Sequence, residues 1–207
     1  MNLLSRIALV GALAGVAAAG AAQAQMKMPT PSKDYRAAPA GAYALDQSHT
    51  AIIVYVSHVG FSYEAFRFLA ASGKLRWNPA DPAADALQVS VDPKSIATAD
   101  AGMDFSGELA GAKFLDVAKF PTATFVSRRF RPIDATHGKV DGDLTIMGVT
   151  RPAVFDVTLV GAGNEFGRQT LGIHAQSEIA PNAYGLPQPF FGAPIRLVID
   201  AEFHKTA

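Results

Sequence analysis

Apolar and polar residues alternate along about eight short stretches of this chain, and that alternation constrains the fold more than any other feature. In residues 73–77, Leu75 and Trp77 share one parity while Lys74 and Arg76 take the other. Residues 87–92 set Leu87, Val89 and Val91 against Gln88, Ser90 and Asp92, and residues 140–147 set Val140, Leu144 and Ile146 against Asp141, Asp143 and Thr145. The same period recurs at 51–57, 122–130, 153–160, 171–179 and 195–203, with Gly, Pro, Asn and Asp between stretches. Side chains two apart on a strand point to one side, so each stretch offers one apolar face and one wet face. No long segment keeps a 3.6-residue apolar period. The single helix expected is short, between residues 101 and 115, and Gly102, Gly107 and Gly111 weaken it. The fold class is therefore all-β and antiparallel, one domain, with sandwich and closed barrel both compatible with the alternation.

The 18 basic and 18 acidic side chains cancel, which removes the electrostatic footprint of a nucleic-acid binder. With no cysteine among the 207 residues, disulfides, thiolate metal sites and thiol nucleophiles are excluded. Residues 1–24 carry one charge, Arg6, then an apolar run from Ile7 to Ala22 that ends on Ala22-Gln23-Ala24. That run is shorter than the roughly 20 residues a membrane span needs, and it reads as a cleaved secretory signal peptide. The expected location is the periplasm, with no stable membrane anchor. Residues 25–41 hold Pro29, Pro31 and Pro39 and read as an irregular arm; residues 42–207 form the folded domain.

Catalytic signals are sparse. There is no phosphate-binding glycine loop, no nucleophile elbow and no zinc-protease helix pair. His49 and His58 lie on opposite parities of one strand, a poor arrangement for a shared metal, and none is expected. His58 shares parity with Ile52, Val54 and Val56, so it is a candidate for a polar contact at the strand end. Asp104 and Glu108 are four apart in the helical segment, with nothing nearby to split their pKa values. The segment 181–194 carries Tyr184, Phe190 and Phe191 between four prolines and suits either a packed end or a lid over a cavity.

Several motifs in order resemble the YceI-like family of lipid- and polyisoprenoid-binding proteins. They begin with Tyr43-x-Leu45-Asp46-x-x-His49-Thr50 and His58-Val59-Gly60-Phe61-Ser62. Lys113-Phe114-Leu115-Asp116-Val117-x-Lys119-Phe120-Pro121 follows, and then Gly142-Asp143-Leu144-Thr145-Ile146-x-Gly148-Val149-Thr150-Arg151-Pro152. The resemblance implies a lipocalin-like antiparallel barrel whose apolar interior holds a polyisoprenoid chain or prenylated quinone, as carrier or store and not as an enzyme. Three positions depart from the family pattern. Glu64 stands where a glycine is common, Glu108 where a helix His is common, and Pro181-Asn182-Ala183-Tyr184-Gly185 lacks the family's Arg and Asp.

Joined to the parity rule, this gives an expected apolar channel. Its lining is Ile52, Val54, Val56, Phe66, Phe68, Leu75, Trp77, Val89, Phe125, Leu144, Ile146, Phe155, Val157, Leu171, Ile173, Leu197 and Ile199. Candidates for its mouth are His58, Glu108, Tyr184, Phe190 and Phe191. The expected interior is one elongated cavity of ligand-site size, about 300 Å³ or more. The bound lipid is the only cofactor-like group expected, the partner is that lipid, and a homodimer is left open. Two other functions stand beside the carrier: a filled barrel that serves as an envelope interaction module, and an isoprenoid-modifying enzyme. Cavity volume separates carrier from module, and turnover of bound lipid identifies an enzyme.

Overall fold

The computed structural model describes residues 27–99, 104–187 and 193–206. The expected signal peptide, residues 1–24, lies outside the described residues, as do Phe190 and Phe191. Ten strands occur among the described residues: β1 (Gly41–His58), β2 (Ser62–Phe68), β3 (Ala71–Trp77), β4 (Ala86–Val91), β5 (Ile96–Ala97), β6 (Ala123–Pro132), β7 (His137–Ile146), β8 (Val149–Glu165), β9 (Arg168–Ile179) and β10 (Ile195–Lys205). One short helix, α1 (Phe105–Ala110), sits between β5 and β6.

All ladders are antiparallel, and the first strand pairs with the last. The ring β1-β3-β4-β6-β7-β8-β9-β10 closes into an eight-stranded barrel, which resolves the choice between sandwich and barrel. β1 is long enough to serve two partners on one edge. Gly41–Ala44 pair with β3, and Ile52–His58 pair with β2, which in turn carries β5.

Tight turns set the register. Met147-Gly148 and Phe166-Gly167 are two-residue hairpin loops with both residues at positive φ, and Val59-Gly60 takes the same conformation within the three-residue loop between His58 and Ser62. Glycine takes the second place of each because it adopts that conformation without steric cost. The turn at Met147-Gly148 pairs Ile146 with Val149, and that register carries through to His137 opposite Thr158.

α1 begins where the Asp104 carboxylate accepts a hydrogen bond from the Gly107 N–H at 2.9 Å. It ends at Gly111 and buries Leu109 over one mouth of the barrel. The N-terminal arm is docked, not loose. Ser32 and Ala162 exchange backbone hydrogen bonds at 2.8 and 3.0 Å, and Tyr35–Ala37 form a 3₁₀ turn across the opposite mouth. Two further bonds fasten it: the Trp77 indole N–H donates to the Ala38 carbonyl at 3.2 Å, and the Tyr43 hydroxyl to the Pro39 carbonyl at 2.6 Å.

Candidate functional site

The barrel interior is a site by virtue of parity: each strand turns its apolar face inward, and their sum is a space screened from water. It is divided into two chambers. The chamber at the arm end has a volume of about 200 Å³ and is lined by Leu75, Trp77, Val89, Phe125, Phe155, Val157, Leu171, Ile173 and Ile199, among others. The chamber under α1 has about 150 Å³ and is lined by Ile52, Val54, Val56, Phe66, Phe68, Leu144, Ile146 and Leu197, together with Leu109 of α1. All seventeen residues expected inside from alternation line one chamber or the other. Ile53 and Tyr55, the competing apolar residues of β1, take the opposite parity, and the Arg196 guanidinium stacks 4.8 Å from the Tyr55 ring.

The expectation of one elongated cavity is corrected. No residue lines both chambers, and each volume falls below the expected size. A pair of rings, both lining the arm-end chamber, packs beside the boundary. Phe125 on β6 meets Phe155 on β8 edge to face, centroids 4.9 Å apart and planes at 75°. β7 lies between those strands, and the rings can meet because β7 carries Gly142 there. A Cβ at Gly142 would sit 2.4 Å from the tip of the Phe125 ring.

The chambers differ in chemistry. Every residue around the α1-end chamber is apolar. The arm-end chamber adds Asp85, Arg131, Thr136, His137 and Lys139. Arg131 is held by Asp141 at 2.5 Å, and Lys139 is paired with Asp156. Asp85 accepts a hydrogen bond from the Asn78 N–H through Oδ1 at 2.5 Å, while its Oδ2 is buried without a partner. Burial pushes its carboxyl up to about 6. Sequence patterning missed this polar group, whose members come from a hairpin end and a loop where alternation stops.

Of the expected mouth residues, those described line neither chamber. His58 is exposed at the end of β1, where its carbonyl accepts from the Phe61 N–H across the hairpin. Glu108 is exposed on α1, 4.0 Å from Lys113. Tyr184 is buried in the core beneath the 3₁₀ turn Pro181–Tyr184, and burial raises its phenol above the ordinary value.

One cluster of potential metal ligands occurs among the described residues, on the outer face where β1 meets β10. Asp46, Glu202 and His204 bring ligand atoms within 4.8 Å of one another. Asp46 pairs with Glu202 across the ladder just before a register shift. His204 contacts both carboxylates at 3.5–3.6 Å, and His49 hydrogen-bonds Asp46 at 2.8 Å. That bond is the main reason the Asp46 carboxyl is lowered to about 2. A mixed imidazole–carboxylate set suits a borderline divalent cation. Its outward parity separates it from the apolar interior.

The sequence pattern of the YceI-like domain matches residues 43–203, the whole barrel. The chain belongs to that family. A UPF0312 protein of Pseudomonas putida strain W619 is 32% identical over 155 residues, covering 73% of this chain and 80% of its own. The YceI-like barrel described here is also similar to the crystal structure of Burkholderia cenocepacia BcnA, with TM-score 0.67 and 21% identity over 76% of this chain and 98% of the other. A polyisoprenoid binding domain from Saccharophagus degradans superposes with TM-score 0.56 at 16% identity, covering 79% of this chain and 98% of that domain. At these identities both structures speak for the fold alone. Among the described residues no helix is long and apolar enough to cross a membrane.

Proposed function

We propose that this YceI-like protein is a periplasmic carrier or store for a long apolar lipid, a polyisoprenoid or prenylated quinone, held inside the barrel. One observation carries the reading: the α1-end chamber is lined by apolar residues throughout, and polar residues gather only around the arm-end chamber. An apolar tail toward α1 and a polar head toward Arg131, Thr136 and Lys139 match that asymmetry. The neighbour from Saccharophagus degradans, a polyisoprenoid binding domain, supports the choice of lipid.

Burial alone supplies the energy. Each buried CH₂ is worth about 0.8 kcal/mol, so a 20-carbon chain offers roughly 16 kcal/mol gross. Association and chain ordering cost about 4–15 kcal/mol. Micromolar binding then needs no strong polar contact. Of the groups considered for acid–base work from the sequence, His58 and Glu108 line neither chamber and Asp104 caps α1. Asp85 and His137 do border the arm-end chamber, and turnover of bound lipid there is what distinguishes an isoprenoid-modifying enzyme from a carrier.

Trp77 lines the arm-end chamber and is the only tryptophan, so its fluorescence reports lipid entry. Titrating delipidated protein with a prenyl alcohol is expected to give a saturable change. Phe155→Arg, checked for folding by circular dichroism, abolishes it by placing an unpaired guanidinium in the interior. Asp143→Asn leaves it unchanged, because Asp143 pairs with Arg128 at 2.6 Å on the outer face. Equal loss in both variants contradicts the interior site.

A further inference from the structure

We infer that Phe125 and Phe155 form an aromatic septum that sets the length of chain this barrel accepts at rest; the inference rests on the carrier reading and adds a specificity element to it. Three inward positions of β7, β8 and β9 that border neither chamber are small: Gly142, Ala153 and Ser177. Left alone, such a belt would leave the interior continuous. The two rings fill it, leaning across β7 over Gly142 to meet edge to face at 4.9 Å. Phe125 and Leu144 are directly paired across β6 and β7, yet Phe125 lines the arm-end chamber and Leu144 the α1-end chamber. The boundary therefore runs through this contact.

A short chain lies in one chamber with the septum closed. A chain longer than one chamber passes only when the Phe125 ring leaves the Gly142 notch or Phe155 turns aside. Both rings are almost fully buried, so either motion displaces packed neighbours and slows entry. Chain length thus enters as a step in binding kinetics, where a continuous channel gives a smooth gain with each added isoprene unit.

The test is stopped-flow Trp77 fluorescence with geraniol, farnesol, geranylgeraniol and solanesol on wild-type protein, Phe125→Ala and the conservative Phe155→Leu. Circular dichroism and thermal melts confirm that each variant is folded. In wild type the association rate is expected to fall by about tenfold or more, some 1.4 kcal/mol of barrier, between two successive alcohols of the series. Phe125→Ala removes the step, so that within this variant the association rate varies smoothly from the shortest alcohol to the longest. Phe155→Leu gives a smaller step at the same chain length. Should wild type and both variants bind every alcohol with one smooth length dependence, the septum is overturned while the carrier reading stands. Failure of all four alcohols to bind any of the proteins overturns the carrier reading, and the septum with it.

Discussion

Replacing Tyr43 by Phe isolates the fastening of the N-terminal arm over one end of the binding space. The Tyr43 side chain is 2% exposed, and its hydroxyl bonds the Pro39 carbonyl at 2.6 Å. Burial raises the phenol above its ordinary value, so it remains a donor well into the alkaline range. Phenylalanine keeps the ring, its buried area and nearly its volume, and no cavity term enters. What is lost is one hydrogen bond, worth about 0.5–1.5 kcal/mol net, or about 1–3 kcal/mol if the Pro39 carbonyl stays unsatisfied. A loss near 1.5 kcal/mol lowers Tm by about 3–6 °C for a domain of this size. Tyr43→Ala, which also opens a cavity, costs about 3–5 kcal/mol by analogy with other aromatic truncations. Urea unfolding followed by Trp77 fluorescence measures both variants. The expected result is a lower midpoint with an unchanged slope for Tyr43→Phe, and a two- to threefold larger loss for Tyr43→Ala. If Tyr43→Phe falls within about 0.3 kcal/mol of wild type, the hydroxyl does not anchor the arm and the reasoning fails.

Three further outcomes are expected. Leu144→Ala destabilises by about 2–5 kcal/mol in urea unfolding and enlarges the α1-end chamber, whereas Val126→Ala, on the outer face, stays within about 0.5 kcal/mol of wild type. Asp46, held at about 2 in the fold against an ordinary 3.8, contributes stability that is complete above pH 4 and lost as pH falls through 2. His49→Ala returns its titration toward the ordinary range, read by carboxyl NMR, and reduces that acid-side contribution, the Ser48 N–H and His204 still favouring the carboxylate. Asp85 shifts the other way, to about 6, so stability declines as pH rises from 4 to 6. Asp85→Asn, which keeps an oxygen for the Asn78 N–H, is therefore more favourable relative to wild type at pH 7.5 than at pH 4 in matched urea titrations.

The facing of the strands was legible because parity is a local property: Leu144 and Phe155 turn inward wherever their strands pair. Closure of the ring was not contained in alternation and came from motif order, since Tyr43 opposite Lys205 is a contact between the two ends of the domain. The septum was hidden for a related reason. Phe125, Gly142 and Phe155 look like two core aromatics and a turn-former until β6, β7 and β8 are laid side by side in register. The expected mouth residues were chosen as titratable or aromatic side chains at a strand end (His58), on the helical segment (Glu108) and in the 181–194 loop, a criterion that does not say which mouth stays polar. Arg131 and Lys139, which do border a chamber, lie just past the ends of the alternating stretches 122–130 and 140–147, where parity gives no facing. The Asp46–Glu202–His204 group likewise needed the pairing of first and last strands.

The most direct test of the carrier function is native mass spectrometry of the mature protein purified from a bacterial periplasm without detergent, paired with solvent extraction of the same sample. A carrier is expected to fly with one lipid per chain, to lose it on extraction, and to yield a prenyl chain in the extract. Bare protein in every charge state, an extract free of lipid and no uptake of added prenyl alcohol would contradict it.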